Sequence, residues 1–177
     1  DLDPTVITGQ TALATSPADT DEFLISDAGV LKRLDASLIG GANTPAFRAT
    51  IGSEQTIADT TATKVAFNTE DYDTDSAYNT SNYRFTPQVA GKYFVGLNAR
   101  WSTAVDLDIA NVDIYKNGSA YFTGDFSNIR FNNWFNGTII TMNGSSDYIE
   151  AFVFQSSGGN VALRTDGNQF FAYKIIT

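Results

Sequence analysis

The sequence predicts an all-β fold, an antiparallel jelly-roll sandwich of about ten strands that follows a short N-terminal arm and a hairpin. Two observations support this prediction. The chain contains 13 Phe and 8 Tyr, and aromatic and β-branched residues favour pleated sheets. Turn signals also recur at short intervals, with Asn-Gly pairs at 117–118, 136–137 and 143–144 and a Gly pair at 158–159. Such pairs suit the positive φ angles of tight hairpin turns.

The N-terminal part of the chain differs in composition from the rest. Residues 1–21 are rich in Thr, Ala, Asp and Pro and show little periodicity, which predicts an extended arm. Residues 22–27 and 30–34 predict two short strands around a turn at Ala28 and Gly29. Because an isolated two-stranded hairpin is marginal in water, we expect this unit to pack on another copy or on a neighbouring protein.

Gly40, Gly41 and Pro45 mark a boundary. The sequence therefore predicts two domains, an attachment or shaft unit of residues 1–45 and a jelly-roll head of residues 46–177. We expect the strands of the head at 47–52, 63–67, 83–86, 92–101, 107–116, 120–123, 135–142, 148–155, 161–164 and 170–176.

The stretch from Phe67 to Trp101 contains the clearest strand of the head. It begins as an acidic loop, turns at Pro87 and Gly91, and continues as a long alternating run. Successive strand side chains point to opposite faces, so this run predicts a core strand. The residues expected on its buried face are Tyr93, Val95, Leu97, Ala99 and Trp101.

Three predicted strands, at 92–95, 148–154 and 170–176, carry large apolar residues on both faces. An antiparallel sheet with one solvated face should alternate cleanly instead. We therefore expect the second face to be covered by another subunit, although scattered surface or edge positions would give the same pattern. The residues assigned to this subunit interface are Phe94, Phe152, Phe154 and Phe170.

The spacing of six residues resembles the signature of the globular head of complement component one, subcomponent q, a jelly-roll domain related to the tumour necrosis factor fold. Supporting matches occur at 46–47, 147–150 and 170–175, whereas Val95 and Leu97 stand where the family has aromatic residues. The resemblance covers about residues 46–177 and implies a homotrimer. The six matching residues are Phe67, Asp73, Tyr78, Phe85, Gly91 and Tyr93.

The stretch Asp19–Ile39, DTDEFLISDAGVLKRLDASLI, is similar to short shaft segments that precede receptor-binding tips in bacteriophage tail fibres. This resemblance implies a virion protein whose residues 1–45 bind other virion proteins. Its exposed loops would bind a host-surface glycan or protein, with avidity from three copies per trimer. Two alternatives remain open, a structural capsid or tail decoration protein without receptor binding, and a secreted cell-surface recognition module.

Composition excludes several other functions. The formal charge of −9 repels a phosphate backbone, so we expect no nucleic-acid partner. The absence of Cys and His removes thiol nucleophiles, Ser-His-Asp triads and the usual zinc ligands, and no pair of acids stands out for glycosidase chemistry. We predict no enzyme and no catalytic residue.

No apolar run approaches the roughly 20 residues that cross a bilayer, and a start at Asp1 suggests a processed product or part of a longer chain.

Asp71, Asp73 and Asp75 alternate along the acidic stretch and could supply hard oxygen ligands, so calcium is the one cofactor considered. An EF-hand loop needs a Gly and a terminal Glu where this chain has Ser76 and Asn82. A solvated acidic loop is the alternative interpretation.

The segment 122–137, FTGDFSNIRFNNWFNG, is the predicted ligand-binding region, because sugar sites commonly place an aromatic platform beside amide hydrogen-bonding groups. Burial of its aromatic residues in the core or in a subunit contact is the alternative. The assigned binding residues are Phe126, Arg130, Asn132, Asn133 and Trp134.

Overall fold

The computed structural model describes residues 18, 20–36, 43–102, 107–129 and 133–175. The chain divides into two compact units, Asp1–Ala42 and Asn43–Thr177, whereas the sequence predicts the division after residue 45. The named elements of the described ranges are all β-strands, and no helix within these ranges is long and apolar enough to span a membrane.

The first unit, here called the hairpin unit, contains β1 (Glu22–Asp27) and β2 (Val30–Asp35). The two strands are antiparallel, with Asp27 opposite Val30, and the turn at Ala28 and Gly29 has φ angles of 50° and 82°. The hairpin predicted from the sequence is therefore present. Its apolar side chains are exposed in the single chain, namely Phe23, Leu24, Val30 and Leu31.

The second unit, here called the sandwich unit, consists of two main antiparallel sheets. Sheet I has the strand order β12-β9-β15-β3-β6, and sheet II has the order β11-β10-β13-β8-β7, with β5 added to β13 and a small β4–β14 pair beside them. This arrangement confirms the predicted all-β jelly roll. Its strands are β3 (Ala46–Thr50), β4 (Gln55–Ile57), β5 (Thr63–Lys64), β6 (Thr69–Asp73), β7 (Tyr78–Asn79), β8 (Arg84–Phe85), β9 (Gly91–Arg100), β10 (Leu107–Lys116), β11 (Ser119–Ile129), β12 (Asn133–Met142), β13 (Ile149–Ser156), β14 (Val161–Leu163) and β15 (Gln169–Lys174).

The core lies between the facing sides of sheets I and II. The alternating residues of β9 point into it as predicted, and Trp101, just beyond the strand, is also fully buried. From sheet II the inward residues include Val112 and Ile114 of β10 and Val153 of β13. Burial of this apolar area is the main term that stabilises the unit.

The residues of the family-like signature contact one another at one end of this core. The Tyr78 main-chain amide donates to an Asp73 carboxylate oxygen at 2.8 Å, and the Tyr78 hydroxyl donates to the Phe67 carbonyl at 2.8 Å. Burial, with the nearby Tyr83 and Glu70, raises the pKa of the Tyr78 phenol well above its usual range. The rings of Phe85 and Tyr93 meet edge to face at 5.7 Å. The signature is therefore a framework that joins the two sheets.

Two local predictions were wrong. The acidic stretch predicted as a loop contains a strand, β6, which pairs with β3 and extends sheet I. The pair Asn136-Gly137 was predicted as a turn but lies inside β12. By contrast, Asn117 and Gly118 have φ angles of 52° and 80° and form the predicted tight turn between β10 and β11.

Candidate functional site

The outer face of sheet II carries a group of polar side chains on the hairpin of β10 and β11. The register places Asn111 opposite Asp125 and Asp113 opposite Thr123, so all four side chains lie on the same face of adjacent strands. The Asn111 side-chain amide donates to an Asp125 carboxylate oxygen at 2.6 Å. We call Asn111, Asp113 and Asp125 the β10–β11 polar cluster.

An open depression with a volume of about 370 Å³ adjoins this cluster. Asn111 contributes an amide group to its lining, Asp125 contributes a carboxylate, and Ser127 contributes a hydroxyl. Ile109 and Phe126 form the apolar part of the lining. The depression therefore offers hydrogen-bond acceptors beside an apolar surface, which is the usual composition of a small-ligand site.

Asp113 is the most unusual member of the cluster because it is only 6% exposed. Burial and the neighbouring charge of Asp125 raise the pKa of the Asp113 carboxyl to about 6, although donors from Gly124 and Thr123 oppose the shift. One carboxylate oxygen of Asp113 and the side-chain oxygen of Asn111 are buried without a hydrogen-bond partner. Buried oxygens of this kind are rare in native proteins and require an explanation.

A second buried acid on sheet II, Glu150, provides a direct contrast. Lys64 Nζ lies 2.5 Å and Arg84 Nε 2.8 Å from its Oε1 atom. Burial alone would raise the pKa of Glu150, but hydrogen bonds and charges from Lys64 and Arg84 outweigh burial and lower it. Within the described residues, neither Asp113 nor Asp125 forms an ion pair of this kind.

The predicted ligand-binding residues are not all available to a ligand. The rings of Phe126 and Trp134 stack on each other at 5.4 Å, and Trp134 is buried against the core, as the alternative interpretation stated. Asn133 is exposed and accepts a hydrogen bond from the Asn98 amide at 2.9 Å. Arg130 and Asn132 lie outside the described residues.

The three acids predicted as calcium ligands have separate partners. Asp71 pairs with Arg48 at 2.9 Å, Asp73 accepts from the Tyr78 amide, and Asp75 accepts from the Thr74 hydroxyl at 2.5 Å. In the part of the chain that the structure describes, no group of three or more acidic, His or Cys side chains is placed to hold a metal ion.

The outer face of sheet I is apolar over several strands. Phe94 lies 5.6 Å from Tyr173 and 6.1 Å from Phe171 between ring centres, and Phe135 lies 6.4 Å from Phe171. The ring of Phe171 covers Gly96, where any side chain would collide with it. Ile139, opposite Phe94 in the register, completes this surface, which we call the sheet I apolar face.

The four residues predicted for a subunit interface separate onto three parts of the molecule. Phe94 belongs to the sheet I apolar face. Phe152 and Phe154 lie on the outer side of sheet II, where the Phe152 ring stacks on Tyr115 at 4.0 Å, so they do not share a surface with Phe94. The assignment of Phe170 is corrected, because it is 0% exposed in the single chain and packs in the core.

Sequence reasoning missed most members of the β10–β11 polar cluster and of the sheet I apolar face. The polar cluster has a weak signal, since Asn111 and Asp113 alternate with the apolar residues Ala110, Val112 and Ile114. Three members of the sheet I apolar face were also missed, because neither strand that carries them shows clean alternation. These three residues are Ile139, Phe171 and Tyr173, whereas Phe135 is one of the aromatic residues for which a subunit contact was the alternative interpretation.

The topology and core of the sandwich unit define a jelly roll of the complement 1q and tumour necrosis factor type. Solved structures with this fold include the globular domain of zebrafish complement 1qA protein, with a TM-score of 0.53 and 16% identity over 75% of this chain and 98% of that chain. Murine APRIL matches with a TM-score of 0.54 and 12% identity, over 73% of this chain and 98% of that chain. The PRD1 vertex protein P5 matches with a TM-score of 0.60 and 14% identity, over 77% of this chain and 100% of that chain. At these identities the likeness shows the fold alone.

At the sequence level, a Bacillus subtilis (strain 168) protein, uncharacterized protein YqcC, is 28% identical over 109 residues. The match covers 58% of this chain and 30% of that protein, so the chain spans less than a third of its length. No protein-family model matches the chain.

Proposed function

We propose that this protein is a trimeric structural component of a phage virion, a tail-fibre or appendage tip, that binds a host-surface receptor. The sheet I apolar face is the observation that carries this proposal. Phe135 is 53% exposed and Ile139 is 54% exposed in the single chain, and they continue into the half-buried rings of Phe94 and Phe171. A contiguous apolar surface of this kind marks an interaction site in a water-soluble particle.

A second and a third copy of the chain are the partners that this face favours. The complement-like signature implies a homotrimer, and closed cyclic symmetry lets each copy bury the same surface. Near the aromatic rings, Arg48 and Asp71 form a half-exposed ion pair at 2.9 Å, which suits the polar rim of an interface. The core of the interface would be the five residues of the apolar face.

Two further features support a place in a virion. The PRD1 vertex protein P5, by its name a vertex protein, has the same fold. The hairpin unit exposes Phe23, Leu24, Val30 and Leu31, which would be covered if this unit attaches to other virion proteins. The host receptor, a glycan or a protein, would contact the end of the sandwich near Asn133 and the depression beside Ser127.

The assembly is tested by measuring the mass of the full chain in solution. The wild type is expected to have three times the chain mass of 19.2 kDa. Replacement of Phe135 and Ile139 together by Lys should give folded monomers, because two charges cannot be buried unpaired between copies. Tyr121→Lys is the matched control, since Tyr121 is 50% exposed on sheet II and should leave the trimer intact. A wild-type monomer with full strand content would contradict the proposal.

Receptor binding is tested separately by adsorption. Purified wild-type trimers should bind host cells and compete with whole particles for adsorption. A decoration protein without receptor binding is the second candidate, and the likeness to a vertex protein favours it. That candidate predicts trimers that remain on the particle but neither bind cells nor compete.

A further inference from the structure

The carboxyl group of Asp113 lies on the outer face of sheet II but is withdrawn from water. Thr123 of β11 and Phe152 of β13 stand opposite it in the two strand registers, and residues in such positions share one face of the sheet. The Phe152 ring stacks on the ring of Tyr115 at 4.0 Å, and Asp113 is only 6% exposed. Acidic residues are almost never buried to this extent without a charged partner.

The hydrogen bonds of Asp113 satisfy only part of its carboxyl group. The Gly124 main-chain amide and the Thr123 side chain donate to it. Its Oδ1 atom has almost no accessible surface and no hydrogen-bond partner within the described residues. A buried carboxylate with one unpartnered oxygen is costly, whereas the neutral acid loses less solvation energy at the same position. This geometry therefore favours the protonated form.

The charged residues of the two neighbouring strands do not offset the cost of ionising Asp113. Asp125 is the only charged residue of β11, lies diagonally across from Asp113, and acts against its ionisation. Glu150 is the only charged residue of β13, and its carboxylate already binds Lys64 at 2.5 Å and Arg84 at 2.8 Å. A neighbouring negative charge disfavours a carboxylate, as burial does.

β10 itself supplies no cation to Asp113. Its other charged residues are Asp108 and Lys116, of which Asp108 is exposed and Lys116 binds Asp147 at 2.8 Å. Burial and the charge of Asp125 together raise the pKa of Asp113 from 3.8 to about 6. The group therefore changes its charge between mild acid and neutral pH.

β11 is the element on which this change of charge acts most directly. It contains both donors to the Asp113 carboxyl group, Thr123 and Gly124. It is also an edge strand, paired within its sheet only with β10, and strands held on one side open locally at lower free-energy cost than central strands. Opening of the hairpin would give an ionised Asp113 access to water.

We propose that Asp113 is a pH-sensitive switch in the hairpin of β10 and β11. In mild acid the protonated side chain keeps the edge strand in place, and near neutral pH the ionised side chain makes the hairpin open more readily. The switch lies within one copy of the chain and does not depend on the proposed function.

The sign of the effect follows from proton linkage. The folded chain binds the Asp113 proton more tightly than the unfolded chain, because the pKa is raised on folding from 3.8 to about 6. The contribution of Asp113 to the free energy of unfolding therefore falls as the pH rises through this range and is constant above it.

The first test is chemical denaturation of the full-length wild type and Asp113→Asn at equal chain concentration from pH 4 to pH 7. The unfolding equilibrium constant of the wild type, relative to that of the variant, should rise roughly fiftyfold over this range. The change with pH carries the test, because the amide also alters the hydrogen bonds with Thr123 and Gly124. Asp108→Asn is the matched control, since it removes an exposed acid of the same strand, and it should keep the pH dependence of the wild type.

The second test is hydrogen exchange of the wild type, which needs no variant. After correction for the intrinsic rates, the amides of β11 should exchange faster at pH 7.5 than at pH 5, whereas those of the central strand β9 should not. If Asp113→Asn fails to fold, Asp125→Asn replaces it, because loss of the neighbouring charge should move the rise in β11 exchange to lower pH. The proposal is overturned if the relative unfolding constant does not change with pH, if β11 exchange is the same at both pH values, or if Asp125→Asn leaves its pH dependence unchanged. It is also overturned if Asp108→Asn removes the pH dependence.

Discussion

Two buried acids on the outer side of sheet II show how neighbouring side chains decide the role of a carboxylate. Asp113 lies beside a second acid, whereas Glu150 lies between two cations. Arg84 is itself held in place, since its guanidinium lies 4.1 Å from the centre of the Tyr148 ring. Through these contacts Glu150 fixes β13, which carries it, to the short strands β5 and β8. Its role is therefore structural.

Replacing Glu150 by Gln should lower the free energy of unfolding by about 2 kcal/mol, less than the roughly 3 to 5 kcal/mol of a fully buried pair, because Lys64 and Arg84 are partly exposed. Chemical denaturation at neutral pH measures this loss. Asp71→Asn is the matched control, since the half-exposed Arg48–Asp71 pair should contribute no more than about 1 kcal/mol. Equal losses in the two variants would contradict the structural role of Glu150.

The stabilisation that Glu150 contributes should also depend on pH. The pKa of Glu150 is lowered in the folded protein from its ordinary value of 4.5, so the unfolded chain binds this proton first as the pH falls. The stabilisation is therefore complete well above pH 4.5 and is lost as the pH falls through the folded pKa. The difference in unfolding free energy between the wild type and Glu150→Gln should be constant near neutral pH and narrow below pH 4.5. A difference that widens in acid would contradict the assignment.

At the scale of strands, the sequence predicts which side chains of β9 point into the core, but it does not predict this for β15. In β9 the outward positions include Lys92, Asn98 and Arg100, so polarity marks the two faces. In β15 both Phe170 and Phe171 are large and apolar, and a shift of one residue exchanges the faces. Only pairing with β9 and β3 decides that Phe170 enters the core and Phe171 covers Gly96.

The polar cluster could not be predicted for a different reason. Asp113 and Asp125 lie on separate strands and come together only through the register of β10 and β11, which contains an irregularity between Ile114 and Tyr115. Counting residues along the sequence cannot locate that shift. The alternating acids Asp71 and Asp73 were easier to notice, yet each binds its own partner.

Asn136 shows how a residue predicted as a turn can join two strands. Its side-chain amide donates to the Val112 carbonyl at 2.7 Å and lies 3.4 Å from the Phe122 carbonyl, so β12 of sheet I is tied to β10 and β11 of sheet II. Replacement by Leu leaves a buried carbonyl without its donor and should cost about 1 to 3 kcal/mol. Urea denaturation measures the loss.

Thr141→Leu is the control for this prediction, because Thr141 is an exposed residue of the same strand and its replacement should change stability by no more than about 0.5 kcal/mol. If Asn136→Leu were as stable as this control, the hydrogen bonds of the Asn136 side chain would not contribute to the free energy of unfolding.

At the scale of the whole molecule, the two units differ in how their apolar residues are placed. The sandwich unit buries Phe47, Phe67 and Trp101 in a common core, which is enough for an independent domain of this size. In its described residues the hairpin unit has one strand pair and leaves Phe23 and Leu24 exposed. It is held by exposed ion pairs such as Arg33–Glu22 at 3.0 Å, and such pairs contribute little.

Removing residues 1–42 should therefore leave a chain that folds by itself. Residues 43–177 are expected to unfold in one cooperative transition, with a midpoint within about 4 °C of the full chain, which corresponds to less than about 1 kcal/mol. The fragment should also keep the trimeric state proposed for the full chain, because the sheet I apolar face lies within the sandwich unit. A peptide of residues 18–42 should show no cooperative transition, since a lone hairpin is marginal in water. Circular dichroism and sedimentation measure both fragments, and a 43–177 fragment that fails to fold would mean that the core of the sandwich is incomplete without the N-terminal residues.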